Sequence, residues 1–355
     1  MINDKITKQE GGENSTNYQA GTILVKQDIT YQGITYQDVK NIATDVFKSN
    51  YLELSAKASD TARQRAEELV DDFLTKVKER NPTSLNSMEE PGMQYAVFTA
   101  QKEYAKTGDK DLSDMLVDIL VDRAAQQERN LKQIVLDESL SIVPKLTSSQ
   151  LDTLTIIFIL KYSSSFQVGS ISSLKKYLEE YILPFTSILS KEQSLYQHLE
   201  FAGCGSISLS SINIEEVLLQ NYKGIFCTGF TKEEFETAGI AFEKFPTIII
   251  PCLHDNTKFQ LAVIDEEVLT ERANALGIEE TEINKLKPLM NNYQMTAGEA
   301  KEIIKQQGEF MNTLFNIWDT SPIKNMTLTS VGIAIAIANL RRKTGIALDL
   351  GIWIK

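Results

Sequence analysis

Three cysteines and two histidines in 355 residues leave the chain poor in the side chains that most often carry nucleophilic or metal chemistry. Cys204, Cys227 and Cys252 are widely spaced and make no disulfide framework, which fits a reducing cytosol. Long apolar runs are missing too. Those near 155–160 and 331–340 fall far short of the ~20 residues that a membrane span requires. The opening from Met1 to Asn17 is polar and has no signal-peptide character. Positive charge is scarce: 36 Lys and Arg stand against 48 Asp and Glu, for a net charge of −12. This balance argues against a nucleic-acid backbone or an anionic membrane surface as the main partner. There is no G-x-S-x-G elbow, no phosphate-cradling glycine loop, no internal repeat and no low-complexity tract.

What is present reads as helix. Apolar residues at 42% and charged residues at 24% are ordinary for a globular chain, and this length suffices for a large core and more than one domain. The stretch from Tyr95 to Leu160 has the sharpest boundaries. Gly108 suits a left-handed C′ position, and Asp109 or Asp111 can cap the helix that follows. Leu112, Met115, Leu116, Ile119 and Leu120 then form one apolar stripe. A second helix carries Leu131, Ile134, Val135, Ile142 and Val143, and Pro144 stops it. Thr147 and Gln150 make a capping box, with Leu146 stapled to Leu151. The helix they start contains Ile156-Ile157-Phe158-Ile159-Leu160, apolar all round, and belongs at the centre of a core.

The fold class expected is mainly α: a multi-helix bundle with a small α+β insertion and a β-rich N-terminal arm. Residues 1–34 form that arm, with partial alternation over Thr22 to Ile29; a hairpin by itself is marginal, so the arm pairs with its own domain or with another copy. Residues 35–81 form a long helix or helical hairpin, started by Thr35 and Ile34 and ended by Asn81-Pro82. Residues 93–190 are the central helical core. Ser190 to Gln193 offers a further capping box, as do Thr231/Glu234 and Thr296/Glu299. Residues 196–264 form the mixed insertion, in which Thr247–Ile250 and Lys258–Ile264 flank the turn residues His254-Asp255-Asn256. Residues 265–355 contribute C-terminal helices, an Ala-rich apolar helix over 327–340 and a final strand over 349–355.

Two resemblances follow from particular blocks. Gly12-Glu13-Asn14-Ser15-Thr16-Asn17-Tyr18-Gln19-Ala20-Gly21, Phe98 to Asp109, Leu116 to Arg123 and Tyr196 to Glu200 resemble an uncharacterised bacterial family of similar length, which implies no assigned chemistry. The order of Leu112-x-x-Met115-Leu116-x-x-Ile119-Leu120, Ile134 to Val143, Leu146-Thr147-x-x-Gln150-Leu151 and Leu328-Thr329-Ser330-Val331-Gly332 is similar to the Abi-alpha (abortive infection alpha) domain, a helical bacterial module associated with phage defence. The resemblance lies in helices and caps and carries over no catalytic residue.

Candidate chemistry is sparse. Asp111, Asp114, Asp118 and Asp122 lie along one helix and would either hold a cation or, as expected here, form a solvated face. Arg123 can pair with nearby carboxylates on the surface. Gly203-Cys204-Gly205-Ser206 raises a nucleophile, with His198 and His254 as the two histidines that could serve it, and Cys204, Cys227 and Cys252 with His254 raise a zinc cluster; their spacing fits no usual knuckle, and Cys252 in an apolar strand reads as a small buried hydrophobe. No catalytic, cofactor-binding or metal residue is therefore assigned. The leading expectation is a cytoplasmic phage-defence protein of abortive-infection type, a sensor, adaptor or self-assembling scaffold. It would act through protein contacts rather than bond chemistry, as a homo-oligomer joined through the N-terminal arm, with a phage or host protein as partner. It is expected to take no cofactor, no nucleic acid and no stable place in a membrane. The competing expectations are a hydrolase or metal-dependent enzyme using the Cys and His of the insertion, and a membrane-disrupting effector using Val331–Leu340.

Overall fold

The structure is a computed structural model that describes residues 34–50, 56–237, 239–245, 247–263 and 265–355. The β-rich arm expected over 1–34 lies outside these residues except for Ile34. The chain is mainly helical. In order, the helices are α1 (Tyr36–Asn50), α2 (Ala56–Arg80), α3 (Pro91–Thr107), α4 (Lys110–Ala124), α5 (Leu131–Ile142), α6 (Ser148–Tyr162), α7 (Ile171–Tyr181) and α8 (Gln193–Phe201). There follow α9 (Ile214–Asn221), α10 (Lys232–Thr237), α11 (Glu266–Ala275), α12 (Glu280–Asn292), α13 (Ala297–Lys305), α14 (Glu309–Thr320) and α15 (Ser330–Thr344). Two small antiparallel sheets accompany them. Strand β1 (Gly205–Ile207) pairs with β4 (Met326–Leu328), and β2 (Ile249–Pro251) pairs with β3 (Phe259–Leu261).

Local chemistry sets most boundaries. Gly108 ends α3 in the left-handed region, with φ 67°, and Asp109 caps α4 by accepting from the Leu112 amide. The Thr147/Gln150 and Thr296/Glu299 boxes are both made, and Thr231 and Glu234 exchange the same pair of bonds. The box expected at Ser190 is not made. Ser190 instead accepts from the Glu192 amide, and α8 starts at Gln193 with no side-chain cap.

Helix α15 packs most extensively on α6 and also touches α4 and α5. Both central helices are buried nearly all round, through Leu154 and Ile156–Leu160 on α6 and Ile333–Leu340 on α15. Each fully buried aliphatic side chain contributes about 1.5–3 kcal/mol. Alanine alternating with isoleucine on α15 keeps the helices close, so that Thr155 Oγ1 reaches the Ala336 carbonyl at 3.4 Å. A polar seam crosses this contact. Asn339 Nδ2 donates to Asp152 Oδ1 at 3.0 Å and to Thr155 Oγ1 at 2.9 Å, while Lys343 Nζ donates to Asp152 Oδ2 at 2.7 Å. The Asp152 side chain is 0% exposed.

The acidic stripe of α4 is a solvated face over its first half, where Asp111 and Asp114 are exposed, and is covered over its second, at Asp118 and Asp122. Because α4 is wedged between α2, α3, α5 and α15, three of its carboxylates pair with bases on neighbouring helices. Asp118 is buried against Lys76 at 3.2 Å and Arg80 at 3.0 Å, Asp122 pairs with Arg341, and Asp111 pairs with Arg342. Arg123, expected at the surface, is 5% exposed, and its Nε donates to Asp137 at 2.6 Å.

A second, smaller core is built by Phe230 to Leu289, from α10, the β2–β3 hairpin, α11 and α12. Its aromatics interlock, with Phe230 stacked on Phe235 at 5.3 Å and Phe242 edge-on to Phe259 at 4.7 Å. The segment from Tyr196 to Phe226 packs with the main core instead. The final strand expected over 349–355 is a 3-10 turn, Leu350–Ile352. Asp349 caps it by accepting from the Gly351 amide, and the Trp353 indole donates to the Tyr162 carbonyl.

The start of α15 depends on a glycine. A Cβ on Gly332 would lie 1.9 Å from the Cys204 carbonyl oxygen, which itself accepts from the Thr329 amide. Gly332→Ala is expected to cost at least about 1–3 kcal/mol in denaturant unfolding, the usual range for overpacking; a variant as stable as the parent would contradict this close approach. The Asp152 seam makes a second expectation. Burial raises its carboxyl pKa above the ordinary 3.8, against the opposing pull of Lys343 and Asn339. The folded chain then holds this proton more tightly than the unfolded chain. The group's contribution to stability therefore grows as pH falls through the folded pKa and levels off below 3.8. Asp152→Asn removes that gain, so the stability difference between parent and variant should shift in the parent's favour on acidification; a pH-independent difference would count against the seam's burial.

Candidate functional site

The five Cys and His candidates do not converge. Cys204 follows α8 and is fully buried beneath the start of α15, and burial alone pushes its thiol up to about 12. Its complete burial gives Cys204 the setting of a packing residue. His198, on α8, contacts the Gln150 amide nitrogen at 2.8 Å, beside the α6 capping box. The other three lie together, at the second core. Cys252 follows β2, and its thiol donates to the Cys227 carbonyl at 3.3 Å; His254 stands exposed two residues on. Among the described residues, no group of three or more His, Cys, Asp or Glu side chains is arranged to hold a metal ion.

Cys252 and His254 line an open cleft of about 1050 Å³ between the hairpin turn and α13. One wall is the turn from Cys252 to Lys258, held by Asp255 Oδ1, which accepts from the Thr257 amide at 3.0 Å and its hydroxyl at 2.7 Å. The other wall is Met295, Gly298, Glu299, Glu302 and Ile303. Glu299 is already engaged by the Thr296 cap, which lowers its pKa through the backbone and side-chain bonds of Thr296. The cleft brings a thiol and an imidazole to one surface, but the thiol's bond goes to a carbonyl and not to the imidazole, so no base activates it.

A second cavity, of about 530 Å³, is chemically different. Tyr162, Phe166, Tyr177, Tyr181, Ile352 and Trp353 line it. Trp353 is fixed by its indole bond to Tyr162 and by edge contact with Phe158 at 4.9 Å, and Tyr177 stacks on Tyr181 at 4.9 Å. Phe166 is wholly exposed at its rim, and Ile352 is 63% exposed. The sequence reading missed this surface because its members come from α6, α7, the loop between them and the C-terminus. The only local signal was the Tyr162-Ser163-Ser164-Ser165-Phe166 run, which reads as a loop.

Lys161 was missed for a similar reason. At the end of α6 its ammonium donates to the Lys324 carbonyl at 2.7 Å and the Met326 carbonyl at 2.8 Å, and lies 5.4 Å from the Trp318 ring centroid. Burial pushes its pKa down to about 8. It ties the α6 terminus to β4. As for the apolar segment 331–340, it is the buried interior of α15, and among the described residues no helix is long and apolar enough to cross a membrane.

Native-state alkylation separates these roles. Cys227, half-buried, should react ahead of Cys204, which should stay protected until global unfolding; Cys204 modified first, with the fold intact, would restore it as a nucleophile. Neither a curated protein nor a solved structure matches the chain. A family model does match, under a description that reads only “:-like” and assigns no chemistry. That match runs over residues 33–354, nearly the whole chain, and the protein belongs to that family.

Proposed function

We propose that the protein is a bacterial phage-defence component of abortive-infection type that works in the cytoplasm through protein contacts, as a sensor, adaptor or self-assembling scaffold. The observation that carries the contact reading is the exposed aromatic cleft. Phe166 and Ile352 hold apolar surface in water beside Tyr181 and Trp353, and covering such a patch is what a protein interface does. The lining contains no charged side chain, and the net charge of −12 disfavours a polyanion. The occupant this chemistry suits is a protein segment presenting aliphatic or aromatic side chains. Rigid, pre-ordered aromatics such as Trp353 are effective anchors for such a segment.

The defence setting rests on the likeness in helix order to the Abi-alpha domain. It is supported by the packing of α15 on α4, α5 and α6, which makes one unit of the segments carrying that likeness. A second reading, an enzyme built on the insertion, draws on Cys252 and His254 lining one cleft.

Deleting the gene in a native host should remove phage protection, and unchanged plaquing across a broad phage panel would sink the defence reading. Phe166→Asp with Ile352→Asp should abolish protection while the melting transition stays in place; protection retained by that folded double variant would remove the cleft from the mechanism. Protection lost in folded Cys252→Ala or His254→Ala would favour the enzyme.

A further inference from the structure

The second core hangs from the main body by two adjacent chain crossings. On the incoming side Phe226 belongs to the main core and Phe230 to the second; on the outgoing side Leu289 belongs to the second core and Met295 to the main one. The crossings run antiparallel. The Thr228 amide donates to the Tyr293 carbonyl at 2.8 Å, the Met295 amide donates to the Phe226 carbonyl at 2.9 Å, and Cys227 faces Gln294 in a single β-bridge. Residues 227–229 and 293–294 thus form a neck.

Cys227 is in that neck, and Cys252 is at the end of β2 within the second core's hairpin. They are distant in sequence and adjacent in space: Cys252 Sγ is 3.3 Å from the Cys227 carbonyl oxygen. Gly229, at φ 69°, carries the incoming strand past this point, where a Cβ would lie 3.0 Å from both Cβ and Sγ of Cys252. Both thiols have an outlet. Cys252 lines the large cleft, and Cys227 lines a smaller cavity. Because the wall opposite Cys252 is α13 of the main body, the two cysteines sit at the root of the cleft, where one core joins the other.

We propose that Cys227 and Cys252 form a dithiol modification site, oxidised by a small disulfide to an intramolecular disulfide that staples the hairpin to the neck and fixes the cleft. Cys227, the more exposed, attacks one sulfur of the disulfide as its thiolate and releases one small thiol. The Cys252 thiolate then attacks the Cys227 sulfur of the mixed disulfide and releases the second. The protein loses two thiol hydrogens, and the small disulfide is reduced to two thiols, so the exchange balances. The bond would tie the hairpin to the incoming strand of the neck and close the loop between positions 25 apart in sequence, and a disulfide that closes such a loop restricts its opening. The inference stands apart from the aromatic cleft and from any defence role.

The test uses the full-length, fully reduced protein incubated with oxidised glutathione. Burial raises the Cys227 thiol pKa, so a mildly alkaline pH is used. Non-reducing tryptic mass spectrometry should find the peptide containing Cys227 joined to that containing Cys252, two hydrogens lighter than their sum. Cys227→Ser and Cys252→Ser should each abolish the product, and Cys204→Ser should leave it unchanged. Hydrogen exchange over the turn 252–258 should slow several-fold on oxidation and recover on reduction. A linkage that involves Cys204, glutathione adducts that never resolve, or free thiols that persist in the folded protein while a denatured control oxidises would each overturn the proposal. A linkage that leaves exchange at 252–258 unchanged would overturn the staple.

Discussion

The contact between α6 and α15 is the constraint on which the rest depends. Two helices without a polar face cannot sit at a surface, and α4, α5, α7, α8 and α9 are among the elements packed on them. An apolar interface of this kind has little to fix its register. The seam of Asp152, Asn339, Thr155 and Lys343 supplies that register, because a buried carboxylate tolerates only the alignment in which both oxygens are bonded. Asn339 is satisfied on its other side as well, since its carbonyl oxygen accepts from Arg342 Nη2 at 2.9 Å.

From this contact the structure extends outward in steps. The approach of Gly332 to Cys204 docks the α15 start on the loop after α8, and β1 and β4 pair on either side of that point. Lys161 binds the far end of α6 to the segment that leads into β4. The charges of α4 are spent on its neighbours on α2 and α15. The second core packs its phenylalanines among themselves; the paired strands of the neck and a bond from Gln260 Nε2 to the Gly224 carbonyl connect it to the main body. The cleft beside Cys252 exists because two cores meet there. The aromatic cleft exists because the C-terminal turn stops on α6 and leaves Phe166 and Ile352 uncovered.

Much of the fold was legible along the chain. Caps at Thr35, Thr147, Thr231 and Thr296, the left-handed Gly108 and the stop at Pro144 are all decided within three or four residues, so sequence shows them directly. The all-round apolar character of α6 announced its central position for the same reason. The failures share a cause. Ser190 lost its box to a competing local bond, and the final segment had strand composition but closes into a 3-10 turn capped by Asp349. The α4 aspartates and Arg123 look solvated when only their own helix is considered, and their partners, Lys76, Arg80, Asp137 and Arg341, lie elsewhere in the chain.

The sequence by itself determined the helical class, the starts and stops of the helices and which of them must be buried, because capping, turn conformation and hydrophobic periodicity are short-range. Only the tertiary structure decided that Cys227 meets Cys252 while Cys204 and His198 lie apart from them, that Asp118 and Asp122 of the acidic stripe are covered ion pairs, and that aromatics from three separate segments share one exposed cleft. Those outcomes depend on which distant surfaces are pressed together, and that is settled by burial summed over the whole core rather than by any local pattern.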